Sequence, residues 1–409
     1  MVKRAKYFWA SGGMAGRALT QGLYFLLLAG VLGPAELGRL AIFTAITTTL
    51  APLSGVGCSE VLLKNTARDP GALAHGYGHC RGIIPVSALA IALPAAAAGW
   101  ACLDLARDWP TLLCLGAIDI VALRYQEVLL AMTQALEDFK ANASIALVMS
   151  LAKLAGVGAM LVLPVPRTVA GWSVVQLAAL GPATALLCRW CRRRYLAVPA
   201  GWRIDPALVR EGTLFAVGVS VNGAYRDIDK LFLGKVVASA QLGLYATAYR
   251  LLDLAFIPVR AMLYVALPRM FRSGGRDSGA GGDRRFVARS LLAALAAFLA
   301  YQAALHGLPW LLGQRFQGIG AMGRILGLML FGRTLLNYGA YRVLTGRGVK
   351  YSCLVQGLAA LASLVLCWAL IPGGGWRAAA WISVGTDFLF AGLYLVLCRP
   401  NRRPVPEQP

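Results

Sequence analysis

The side chains best placed to do chemistry in this sequence are charged groups set inside apolar runs. Arg17 and Gln21 share one run, Asp119, Arg124 and Glu127 another, and Lys153 stands in a third. Further along come Arg226, Asp227, Asp229 and Lys230, then Arg250, Asp253 and Arg260, then Arg324 and Arg333, and finally Asp387. A charge at bilayer depth costs several kcal/mol, on the order of 3 by insertion scales, so each needs an ion partner or an aqueous cavity. Arg226, Asp229 and Lys230 at i, i+3 and i+4 share one helix face, as do Arg250, Asp253 and Arg260. Asp229 or Asp253 with Arg250 reads either as a structural ion pair or as part of a site. Arg124 with Glu127 reads equally as an intrahelical pair, and Arg260 and Arg324 could snorkel to an interface. Arg17 has nothing acidic one turn away on its own helix.

Other chemistries find no constellation. There is no P-loop, no H-E-x-x-H and no G-x-S-x-G between strand and helix. The three histidines are dispersed, His75 and His79 in a loop and His306 near the end of an apolar run. Cys188 and Cys191 form a C-x-x-C with no second pair to complete a zinc site. The nine cysteines mostly fall in or at the ends of apolar segments, where a small buried role suits them. No catalytic residue, metal or cofactor is expected, and the chain is not expected to be an enzyme.

The elements that must position these charges are membrane spans. Of 409 residues, 58% are hydrophobic and 14% charged, against about a quarter charged in soluble domains. The apolar runs reach about 20 residues, the length that crosses a bilayer core of roughly 30 Å. In order they predict about twelve spans, at 8–31, 39–63, 81–103, 110–134, 142–164, 168–189, 212–236, 242–267, 287–312, 319–342, 351–372 and 376–398. Lys3, Arg4 and Lys6 lead straight into the first span, with no cleavable signal. Trp9, Trp100, Trp172, Trp310 and Trp381 near span ends are expected to be interfacial anchors.

The formal charge is +22. Nucleic-acid binding would need a soluble basic face, whereas these positives sit in loops, where they set topology. One set of alternate loops holds Lys64, Arg68 and Arg81, then Lys140, then Arg189, Arg192, Arg193, Arg194, Arg203 and Arg210, then Arg269 to Arg289, then Arg347 and Lys350. The other set holds little beyond Arg39, Arg107, Arg167, Lys235, Arg315 and Arg377. The basic side faces the cytoplasm, so both termini should be cytoplasmic. The pattern predicts an all-α polytopic membrane protein: a six-helix half at 1–189, a basic linker at 190–211, a second six-helix half at 212–398 and a tail at 399–409, with a central cavity between the halves. The stretch Ser273–Asp283 is glycine-rich and reads as flexible.

An internal echo supports this division. A shift of 205 residues aligns Leu26, Leu28, Ala35, Leu37, Gly38 and Ala41 with Leu231, Leu233, Ala240, Leu242, Gly243 and Ala246. Ala-Glu-Leu-Gly between spans 1 and 2 thus matches Ala-Gln-Leu-Gly between spans 7 and 8. Six spans per half make the repeat parallel, about an axis normal to the membrane.

The same segments resemble a family. Val31-Leu-Gly-Pro-Ala-Glu-Leu-Gly38, Gly55-Val-Gly, Ala135-Leu-Glu-Asp-Phe-Lys140, Asp229-Lys-Leu-Phe-Leu-Gly234, Ala240-Gln-Leu-Gly-Leu-Tyr-Ala-Thr-Ala-Tyr-Arg250 and Leu267-Pro-Arg269 resemble the Wzx-type polysaccharide flippases. These belong to the multidrug/oligosaccharidyl-lipid/polysaccharide exporter superfamily. The resemblance implies flipping of an undecaprenyl-diphosphate-linked oligosaccharide across a bacterial inner membrane by alternating access. Membrane lipids, a polymerase and glycosyltransferases are its implied partners. Related lipid II flippases usually carry two further C-terminal spans, so twelve spans point to a surface-polysaccharide repeat unit. A diphosphate suits guanidinium forks, which selects Arg17, Arg226, Arg250 and Arg333 as substrate-binding residues. Asp229, Asp253 and Asp387 are the ion-coupling candidates. The alternative within the superfamily is an ion-coupled multidrug antiporter, which would favour a carboxylate-dominated cavity. A membrane glycosyltransferase or polymerase would need acidic or histidine pairs on a large loop.

Overall fold

A computed structural model of the chain describes residues 2–103, 108–196, 201–263, 280–346 and 349–397. The glycine-rich Ser273–Asp283 stretch lies largely outside these, as do Leu267-Pro-Arg269 and the tail. Among the described residues every regular element is helical. Among the described residues each of the twelve predicted spans is mostly helical, and seven stretches carry long apolar windows, two of them, Leu19–Leu53 and Leu354–Leu397, long enough to include a bend. The chain divides into two compact units, residues 1–246 and 247–409.

The first unit opens with α1 (Val2–Leu50), which holds two spans joined by a sharp bend. Gly33 takes φ 73° and ψ 173°, a conformation closed to residues with a Cβ, and Pro34 has no N–H to continue the helix. Two helices therefore meet at a kink with almost no loop. Glu36, just past the bend, accepts from the Val169 N–H at 2.6 Å and from Arg39, which also pairs with Asp108 at 2.6 Å. The glutamate of the Ala-Glu-Leu-Gly segment thus caps the first turn of α7 (Val169–Tyr195).

The second span is not one helix, as expected for 39–63, but breaks at 51–57. Pro52 sits in a 3-10 turn, and Gly55, Val56 and Gly57 all have positive φ, which no α-helix accommodates. The helix restarts as α2 (Cys58–Arg68). Backbone groups released by such a break need partners where water is absent. The Gly55 N–H donates to Ser87 Oγ of α3 (Leu73–Leu103) at 2.7 Å. Ser54 Oγ donates to the Ile120 carbonyl at 2.8 Å. Ile120 lies in a π-helical segment, Ala117–Ala122, between α4 (Trp109–Gly116) and α5 (Leu123–Ala135). In it the buried Asp119 accepts from the Thr47 hydroxyl at 2.5 Å.

α6 (Phe139–Val162) and α7 complete the first six spans, with α6 packed along α1. Cys58, Cys80 and Cys191 are buried in an apolar cluster with Leu62, Tyr77, Ile84 and Met132. Trp172 is fully buried rather than interfacial, its ring 5.9 Å from that of Tyr24. The linker into α8 (Pro206–Val236) is fastened to the start of α3. Asp205 caps α8 through the Ala207 N–H, donates its own N–H to His79 Nδ1 at 3.1 Å, and meets His75 Nε2 at 3.0 Å.

The start of α9 (Ser239–Ala255) belongs to this unit and brings the sequence echo into contact. A methyl group on Gly38 would lie 2.8 Å from the Ser239 carbonyl carbon and 2.9 Å from the Gly243 nitrogen. One on Gly243 would lie 2.7 Å from the Pro34 carbonyl carbon. The two repeat-related glycines let two backbones touch, the arrangement small residues provide between membrane helices.

The second unit holds the rest of α9, α10 (257–263), α11 (Ala280–Leu312), α12 (Ile319–Gly327), α13 (Met329–Gly346) and α14 (Val349–Leu397). α14 again contains two spans, bent at Gly375 with φ 55°. α13 packs along α14 and α11. Tyr301 of α11 is buried, its hydroxyl donating to the Ala248 carbonyl at 3.0 Å. Large apolar side chains on the outer faces, such as Trp310, Leu361 and Trp368, are exposed, as lipid-facing positions are.

Candidate functional site

Polar side chains gather at membrane depth in three places. In the first unit a cavity of about 110 Å³ opens between α1, α5 and α6. Gln21, Tyr24, Gln126, Glu127, Ser150 and Lys153 line it. Helical spacing puts Gln21 and Tyr24 one turn apart on α1, and Ser150 and Lys153 likewise on α6. At its rim Arg124 grips Glu127 with two 2.6 Å bonds, so the i, i+3 pair forms as one of its two readings held. The Arg124 Nε is buried without a hydrogen-bond partner. Arg17, one turn before Gln21, is in helical backbone, but its side chain lies outside the described residues.

The second cluster is on α8. Lys230 Nζ binds Asp227 at 2.8 Å, Asp229 at 3.3 Å and the Arg226 carbonyl at 2.9 Å. Asp229 also accepts from the Tyr245 hydroxyl at 2.6 Å. Asp229 and Lys230 are buried and Arg226 half-buried.

The third, in the second unit, is built around Arg333 of α13. Its Nη1 donates to Asp253 of α9 at 2.6 Å and its Nε to Asp387 of α14 at 3.3 Å. Its Nη2 donates to the Tyr249 hydroxyl at 2.5 Å, and Tyr249 also places its ring 5.0 Å from the guanidinium carbon. Each of the three charged residues stands close to the middle of its span. Substrate sites of transporters commonly lie at that depth.

The structure thus brings together three of the residues chosen from sequence, Arg333, Asp253 and Asp387. Arg250, expected to pair with Asp253, is exposed instead, and Asp253 faces Arg333. Sequence reasoning passed over Tyr249 and Tyr245, although both stand in the Leu-Tyr-Ala-Thr-Ala-Tyr-Arg segment at i, i+4. It also left Gln126 and Ser150 unassigned, since an uncharged polar residue in an apolar run gives little signal. Among the described residues no group of three or more His, Cys, Asp or Glu side chains is arranged to hold a metal ion.

The polysaccharide biosynthesis protein family model matches residues 4–273. No curated protein matches the chain. Among solved structures, the fold is similar to an inward-facing multidrug resistance MATE transporter of the MOP superfamily, with TM-score 0.67 and 15% identity over 93% of this chain and 94% of that one. It is also similar to the MATE multidrug transporter DinF-BH, with TM-score 0.64 and 15% identity over 96% and 94% of the two chains. An outward-facing MATE transporter aligns with TM-score 0.60 and 16% identity over 96% and 94%. The fold is therefore the all-helical, two-half membrane fold of these transporters. The chain belongs to the polysaccharide biosynthesis protein family.

Proposed function

We propose that this transporter flips an undecaprenyl-diphosphate-linked oligosaccharide across the bacterial inner membrane for surface polysaccharide synthesis. Its two six-helix halves, 1–189 and 212–398, would alternate access to a central site, with both termini in the cytoplasm. The observation that carries the reading is the kind of polar group found at membrane depth. The cavity of α1, α5 and α6 is lined by amides, hydroxyls, one carboxylate and one ammonium, groups suited to hydrogen-bonding sugar hydroxyls. The polysaccharide biosynthesis family match points to the same substrate class.

In this reading Arg17, Arg226, Arg250 and Arg333 serve the diphosphate, and Asp229, Asp253 and Asp387 serve coupling. A polymerase and glycosyltransferases act before and after the flip. Losing one buried charged hydrogen bond costs about 1.5–3 kcal/mol, or about ten- to a hundredfold in affinity. Each Arg→Ala variant should lower lipid-linked sugar translocation, normalised to folded protein, by that order, and Arg→Lys by less. Unchanged normalised transport in all four Ala variants sinks the diphosphate assignment. The multidrug antiporter reading draws on the likeness to MATE transporters; efflux of a cationic dye without lipid-linked sugar transport would favour it.

A further inference from the structure

Two roles assigned to the second unit compete in this structure. Arg333 is to hold the substrate's diphosphate, yet every nitrogen of its guanidinium already donates to Asp253, Asp387 or Tyr249. Asp253 and Asp387 are to carry the coupling ion, yet both are spent on Arg333. Counted over these three side chains the charge is one positive against two negative, a field that repels a phosphate.

The cluster is also asymmetric. The Asp387 side chain is 2% exposed and its oxygen stands 3.3 Å from Nε. The Asp253 side chain is 16% exposed, and it holds the Nη1 edge at 2.6 Å. Asp253 is therefore the more accessible partner, on the edge of the fork that a carboxylate or a phosphate oxygen fits equally well. Among the described residues, Tyr249 of α9, at hydrogen-bond distance, and Tyr301 of α11, within electrostatic reach of Arg333 and Asp253, also face the cluster.

We propose that a phosphate oxygen of the substrate and the carboxylate of Asp253 compete for the Nη1 edge of Arg333, with Asp387 as the fixed counter-ion, so that one proton taken up by Asp253 admits one phosphate. The inference rests on the diphosphate reading above and adds its coupling. Protonation turns Asp253 from an anion into a neutral group, which relinquishes the guanidinium. Arg333 and Asp387 then balance, and the entering phosphate meets an Nη1 edge that no carboxylate anion occupies. Because Asp253, Arg333 and Asp387 come from α9, α13 and α14, the exchange also removes the ion pair between α9 and α13, leaving Tyr249 as the link there, while the ion pair between α13 and α14 stays. Deprotonation reverses both events and expels the anion. Proton uptake and phosphate binding become one equilibrium, as linkage requires.

The test uses the full chain in lipid nanodiscs with inorganic pyrophosphate as probe, titrated calorimetrically from pH 8 to pH 6. The wild type should bind more tightly as the pH falls and take up one proton per anion, read by repeating the titration in buffers of different ionisation heat. Asp253→Asn should bind about tenfold more tightly at pH 8, keep only the probe's own pH dependence and take up no such proton. Asp387→Asn should retain the proton uptake. Should Asp253→Asn fail to fold, difference infrared spectra of the wild type decide: pyrophosphate should raise a protonated-carboxyl band. Binding by Asp253→Asn no tighter than wild type at pH 8, wild-type binding without proton uptake, or no new carboxyl band overturns the proposal. If translocation of lipid-linked sugar proceeds while these signatures are absent, the exchange alone fails. If the signatures appear and no lipid-linked sugar moves, the flippase reading alone fails.

Discussion

Replacing Gly38 by alanine sets two opposed effects against each other, and the structure decides which wins. Gly38 and Gly243 both lie inside helices, where alanine is favoured over glycine by about 1 kcal/mol. Were the site open, Gly38→Ala would stabilise the protein. The added methyl would instead lie 2.8 Å from the Ser239 carbonyl carbon, nearer still to its oxygen, and 2.9 Å from the Gly243 nitrogen. Ordinary carbon contacts lie at about 3.5–4.0 Å, so the backbones must part by about 1 Å, which forfeits a quarter to a half of each neighbouring contact. Overpacking costs about 1–3 kcal/mol, and the obstructing atoms are backbone that cannot swing away, so the upper end applies. The net is about 2 kcal/mol of destabilisation once propensity is subtracted. That corresponds to a midpoint about 4–8 °C lower by the scaling of medium-sized domains. Thermal unfolding of the purified protein in one detergent, with Gly243→Ala and the double variant alongside, measures it. One separation relieves both clashes, so the double variant should cost less than the sum. A midpoint that rises in either single variant, or strict additivity, refutes the close packing of the two segments.

Two further outcomes follow from the linker and the loops. Burial depresses the pKa of His79, with a smaller push from His75 and an opposing pull from Asp205. A histidine whose native pKa is lowered contributes stability that is full above its ordinary value of about 6.5 and lost as the pH falls through the lowered one. Acidification from pH 7.5 to pH 5 should therefore loosen the linker, read as faster proteolysis between α7 and α8. His79→Asn, which keeps an acceptor for the Asp205 N–H without titrating, should flatten that dependence; an unchanged slope assigns it elsewhere. Reporter fusions at Gly201, Gly279 and the C-terminus should all report cytoplasm, and a periplasmic signal at Gly279 overturns the topology.

The spans, the charge bias of the loops and the Gly38–Gly243 echo were legible in the sequence because each is local. A span needs a run of apolar residues as long as the bilayer core is thick, whatever it packs against. The bends at Gly33-Pro34 and Gly375 are local too, since a positive φ and a missing N–H act on the residue that carries them. The break at 51–57 had the same warning in Pro52 and Gly55-Val-Gly57, but hydropathy ran through it unchanged. Its cost is met by Ser87 and Ser54, which are near only in the fold.

The pairing of the charges belongs to the tertiary structure. On a helical wheel Asp253 belongs with Arg250 one turn away, yet its partner is Arg333, 80 residues on. Asp229 is likewise met by Tyr245 of α9, and Asp119 by Thr47 of α1. Helical spacing says which side chains share a face, but a buried charge pairs with whatever that face is turned against. Facing is decided by how small residues and bulky ones pack between helices far apart in sequence. The sequence by itself therefore determined that charges stand inside the membrane and that some, such as Arg124 and Glu127, could pair along one helix, and the packing determined which of them meet across helices.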